Sequence, residues 1–147
     1  MSALRNAWKS RPPVFARAAE TSVADHLQRM APSLRAIARA TRRAVRAAAP
    51  AARERAYKNE PPRSRSALWK IARYALGDAD VVGIGTSSVH VLLYFYRGVE
   101  LDDGAGLLEG SGKVMRSIRM TSPQDAARPE VRRLLHRAFQ LAAERPS

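Results

Sequence analysis

Leu27, Met30, Leu34, Ile37, Thr41, Val45 and Ala48 recur at three- and four-residue steps. With 3.6 residues per turn this spacing gathers them on one face, so it predicts an amphipathic helix, which Pro50 ends. Pro32 divides the stretch into a short lead-in and a main helix, with Ser33 the expected N-cap. The period then changes. Alternation through "RERAYKN", closed by Pro61 and Pro62, predicts a short strand and a loop. "SALWKIARYAL" fits a helix through Leu68, Ile71 and Ala75 or an extended segment through Trp69, Ile71 and Tyr74, and is read as a strand.

"DVVGIG" and "SVHVLLYFYRG" are β-branched and aromatic between turn formers, and predict two more strands. In the second, Val89, Val91, Leu93 and Phe95 point one way and His90, Leu92, Tyr94 and Tyr96 the other, which predicts a central strand partly covered on both faces. Five of the eight glycines lie between Gly98 and Gly112, a long irregular connection. "KVMRSIRM" then predicts a strand with Val114, Ile118 and Met120 on one side. "SPQD" offers Ser122 as N-cap, Pro123 at the first helical position and Asp125 reaching back. Pro129 restarts a final helix with Val131, Leu134, Leu135, Ala138 and Ala142 on its apolar face. Helix, strands, helix predicts an α+β domain: an antiparallel sheet of about four to six strands with the N- and C-terminal helices packed on one face.

A length of 147 residues suits one domain over 21–147, preceded by a basic tail over 1–20. That tail has four basic residues and no acid before Glu20. It superficially suits a transit peptide, but the Ala/Arg bias runs through the whole chain, so a loosely ordered tail and a cytoplasmic protein are expected. No apolar run approaches the roughly 20 residues a membrane helix needs. The absence of cysteine removes disulfides, thiolate zinc sites and a cysteine nucleophile.

The net charge of +13 is segregated. Between His26 and Arg53 there are arginines and no acid. Of these, Arg35, Arg39, Arg42, Arg43 and Arg46 fall opposite the apolar stripe of the first helix, a candidate polyanion-binding face or a solvated one. From Tyr74 to Gly112 the balance reverses, with Asp78, Asp80, Glu100, Asp102, Asp103 and Glu109 against Arg97 alone. Glu100, Asp102, Asp103 and Glu109 share one loop and are the candidate metal ligands.

"GLLEGSGKVMRSI" resembles a phosphate loop but lacks its frame. Gly106 and Gly112 enclose five residues, Val114 follows Lys113 where a magnesium-binding Ser or Thr belongs, and the next element is a strand. What remains is a turn at Gly110, Ser111 and Gly112 that, with Lys113 and Arg116, either binds an anion or simply returns the chain to the sheet. His26, His90 and His136 lie far apart without metal-ligand spacing, and no nucleophile elbow is present. Nothing in the sequence argues for an enzyme. His90, Tyr94 and Tyr96 form the polar aromatic side of a strand, and are candidate ligand-binding residues.

The series "LRAIARATRRAVRAAAP", "VHVLLYFYRGVEL", "GLLEGSGKVMRSIRM" and "RPEVRRLLHRAF" resembles the YdhG-like domain family of small bacterial proteins, over about Val23 to Ala142. Its most specific part is Phe95 and Gly98 followed by Leu107, Leu108, Glu109, Gly110, Gly112 and Lys113. The resemblance implies an α+β, frataxin-like sandwich. Some relatives are described as intracellular iron chaperones, which implies iron as a ligand. Iron handling of that type uses clustered carboxylates on the first helix and sheet edge, and here the first helix displays arginines. Three functions therefore compete: a non-enzymatic domain binding a small ligand or metal ion, a non-specific nucleic-acid or acidic-partner binder, and an interaction subunit with no small ligand.

Overall fold

The computed structural model describes residues 7–9, 23–57 and 68–146. A helical segment over 23–28 leads into α1 (Pro32–Ala48); then come β1 (Arg53–Ala56), β2 (Trp69–Leu76), β3 (Ala79–Thr86), β4 (Val91–Phe95) and β5 (Arg116–Met120). A short α2 (Pro123–Ala126) and a long α3 (Pro129–Glu144) follow. The five strands form one antiparallel sheet in chain order, as the α+β reading expected. The loop expected at Pro61 and Pro62 lies outside the described residues.

Helices α1 and α3 touch each other and the central strands. One side of the sheet meets them with Ile71, Tyr74, Val82, Ile84, Val91, Leu93, Phe95, Ile118 and Met120, all buried. Helix α3 closes this layer with Val131, Leu134, Leu135, Ala138 and Phe139. The predicted sidedness of β4 holds for Val91, Leu93 and Phe95. Val89, in contrast, is 72% exposed in the β3–β4 turn.

Three local expectations need correction. Pro32 opens α1 and Ala31, extended at ψ 144°, is its N-cap, in place of Ser33; a proline at the start of a helix forces the residue before it out of the helical region. Strand β5 begins at Arg116, so Val114 is 57% exposed and lends its carbonyl to Val99 N–H at 3.1 Å. Part of the expected loose tail is packed: Trp8, in the turn Ala7–Lys9, is 4% exposed, stacks on Phe139 and meets His136 edge-on. Its carbonyl accepts Ala51 N–H at 3.0 Å. Residues 1–6 and 10–20 lie outside the described residues.

The capping residues of α2 behave as predicted. Asp125 Oδ2 accepts the backbone N–H groups of Thr121 (2.8 Å) and Ser122 (3.2 Å), in a capping box with Ser122.

Candidate functional site

Among the described residues, no helix covers the sheet face turned away from α1 and α3. Along β3 this face is built on Gly83 and Gly85, which pair with Tyr94 and Leu92 of β4. The missing side chains leave room that two tyrosines fill diagonally. A Cβ on Gly85 would stand 2.8 Å from the Tyr94 hydroxyl, and one on Gly83 would stand 3.2 Å from that of Tyr96. The phenol ends thus reach over a glycine strand, so both side chains are held in place by close backbone contact.

Two bulges decide what surrounds them. Between Lys70↔Gly85 and Ala72↔Ile84 the register slips, leaving Ile71 as the extra residue. Ile71 joins Ala72 in the core, and Lys70 keeps the helix-free side. A second slip, between Tyr74↔Val82 and Ala75↔Asp80, leaves Val81 extra, so Val81 and Val82 are both buried. The alternation is thereby reversed. Asp80 reaches the helix-free side, where its two oxygens lie 3.3 Å from Arg55 Nη2 and 3.6 Å from Arg73 Nη1. Tyr57 completes the group, its hydroxyl 2.7 Å from that of Tyr96, with the Arg73 guanidinium 5.1 Å and the Lys70 ammonium 6.0 Å from its ring centre.

Burial first, and then the neighbouring Tyr57, hold the Tyr94 and Tyr96 phenols well above their ordinary range. The Tyr94 hydroxyl is buried and has no hydrogen-bond partner. His90 lies in the turn before β4, where partial burial and Arg119 push its imidazole below the usual value against the opposing pull of Glu109. His90, Tyr94 and Tyr96 do share the face that alternation assigned them. Tyr57, Arg55, Lys70, Arg73 and Asp80 were missed: alternation in "RERAY" hinted at the first two, but the bulges that aim Lys70 and Asp80 leave no mark in a period-2 pattern.

The other candidates are not assembled as expected. Gly110, Ser111, Gly112 and Lys113 are exposed, but Arg116, their supposed anion partner, turns back to donate to the carbonyls of Gly112 (2.6 Å) and Met115 (2.7 Å). Its charge holds the turn together. The four loop acids disperse. Glu100 pairs with Arg97 at 2.7 Å and lies 3.5 Å from Arg145. Asp103 accepts Leu108 N–H at 2.6 Å, and Glu109 lies 3.8 Å from Arg119. Asp102 and Asp103 border an open cleft of about 430 Å³ opposite Glu130, Arg133 and Arg137. Among the described residues no three metal-ligating side chains converge.

Nor do the helix arginines form a free stripe. Arg35 donates to the carbonyls of Leu27, Gln28 and Met30 at 2.9–3.1 Å, capping the lead-in segment. Arg42 forms a two-pronged pair with Glu54, 2.9 Å at each contact, and Glu54, 2% exposed, also accepts the Tyr74 hydroxyl at 2.7 Å. A helical wheel gives an angle, and says nothing of the β1 carboxylate standing beyond the helix edge. Arg39 and Arg43 are the exposed members, and Arg46 is half-buried.

No helix among the described residues is long and apolar enough to cross a membrane. In comparisons with known proteins the chain matches no protein-family model, no curated protein and no solved structure, so the reading of the helix-free face rests on its own geometry.

Proposed function

We propose that the protein is a cytoplasmic, non-enzymatic binding domain of the YdhG-like type that takes a small ligand on the helix-free face of its sheet. The observation that carries this reading is the placement of Tyr94 and Tyr96 over Gly83 and Gly85, beside Tyr57 and a rim of basic side chains. Rigid aromatic walls with a few polar tips are what small-ligand sites are made of. The face offers hydroxyl groups and cations, the polar groups that orient a bound small ligand. Iron delivery gains no support, because Glu100, Glu109 and Asp103 are spent on Arg97, Arg119 and a backbone amide, which among the described residues leaves Asp102 without a second carboxylate ligand beside it. The polyanion reading weakens too, since Arg35 and Arg42 are engaged within the fold.

Titration of ¹⁵N-labelled protein with small aromatic and anionic compounds, read by amide shifts, tests the proposal. The amides of Gly83, Gly85, Lys70 and Tyr94 should move first. Shifts confined to the Arg39 and Arg43 side of α1, together with retention of duplex DNA at low salt, would move the function to the helix.

A further inference from the structure

Two cations on the helix-free face, Arg55 and Arg73, share the Asp80 carboxylate, and Lys70 stands on the same face beside the Tyr57 ring. Arg55 and Arg73 are direct cross-strand partners, so their side chains leave the sheet side by side. Like charges so placed repel, and Asp80, within 3.3 Å of one and 3.6 Å of the other, offsets only one of them. The Nε–H groups of both arginines are buried and have no acceptor, as is the case for the Tyr94 hydroxyl. Donors without acceptors therefore accumulate on this face, two of them on the paired arginines. The Arg73 guanidinium is further set in place by the Tyr57 ring, which the Tyr57–Tyr96 hydroxyl contact fixes in turn.

We infer that Arg55 and Arg73 form a seat for one oxyanion, a phosphoryl or carboxylate group, carried by a small ligand whose aromatic or apolar part lies toward Tyr94. The inference rests on the reading that the helix-free face binds a ligand, and adds the ligand's chemical class. An oxyanion with two or more terminal oxygens suits the paired donors of guanidinium forks, accepts several hydrogen bonds at once, and supplies the negative charge that Asp80 alone does not. A bare cation is disfavoured by the same donors.

Phenyl phosphate, inorganic phosphate, acetate and phenol serve as probes in an amide-shift titration, with a short single-stranded oligonucleotide as competitor. Phenyl phosphate should bind best. Arg73→Gln should weaken it by roughly tenfold or more without lowering the melting temperature, because one of two repelling charges is gone; Arg55→Gln is the independent second variant. If both variants lower the melting temperature and leave the titration unchanged, the arginines only brace the sheet and the seat is refuted. If phenol moves the face while phosphate, acetate and phenyl phosphate do not, the oxyanion seat falls and the face reading stands. If no probe moves the face, both fall. Displacement of phenyl phosphate by the oligonucleotide would support a nucleic-acid strand as the phosphoryl source, and its failure to compete would support a free small molecule; either supports the seat.

Discussion

Gly98 passes so close to β5 that a methyl group has no room. A Cβ built there stands 2.4 Å from Arg116 Cβ and 2.7 Å from the Arg116 backbone nitrogen. Backbone cannot swing aside as a side-chain tip can, so Gly98→Ala should cost about 2–3 kcal/mol in denaturant unfolding. Gly104→Ala, with nothing within 4 Å, should stay within about 0.5 kcal/mol of the parent. The glycine of the Phe-x-x-Gly signature was visible in the sequence, but its partner lies 18 positions further on, beyond any local pattern. Arg42 carries a similar lesson. Arg42→Met leaves the buried Glu54 without its ion-pair partner, and should lose about 3 kcal/mol, whereas Arg39→Met, at an exposed position, should change little. Burial, and then the Glu54 charge, push the Tyr74 phenol far up, so Tyr74 stays a donor to Glu54 and cannot replace the lost cation.

Among the elements, α2 is only four residues long and depends on its cap. Bonds from the Thr121 backbone first, and then from Ser122, hold the Asp125 carboxyl below its usual value. A carboxyl whose folded value is depressed contributes stability above its unfolded value and loses it as pH falls through the folded value. Asp125→Ala should therefore cost about 1 kcal/mol at neutral pH, and the gap between variant and parent should narrow on acidification, as thermal melts across pH would record. This cap was legible because a capping box spans only a few consecutive residues. The strands were legible for the same reason, since β-branched and aromatic runs bounded by turn formers are local. Lys70 and Asp80 were not, because a bulge depends on how two strands meet.

For the whole molecule, the two-layer plan followed from element order and apolar faces, which act over the length of each element and tolerate small errors at the ends. The site did not follow so readily: of its residues, His90, Tyr94 and Tyr96 could be placed by alternation, while the charged rim needed the sheet assembled. The plan also says where the molecule is most fragile. Helix α3 supplies Val131, Leu134, Leu135, Ala138 and Phe139 to the one core and is the surface on which Trp8 stacks. A chain ending at Ala127 should show no cooperative thermal transition by circular dichroism; a sharp melt in that truncated chain would mean that the sheet and α1 suffice.

The chain-order sheet has a consequence for how the protein is made. Each strand hydrogen-bonds to its neighbour in sequence, so pairing can follow the chain as it leaves the ribosome, and β2, β3 and β4, joined by short turns, can close with little entropy to overcome. Their apolar side is sealed only when α3, the last long element described, arrives. A nascent chain arrested before Pro129 should therefore hold a sheet that α1 covers only in part, with apolar side chains that face α3 left open, and recruit holdase chaperones, and release of the remaining residues should end that association within the time the helix takes to dock.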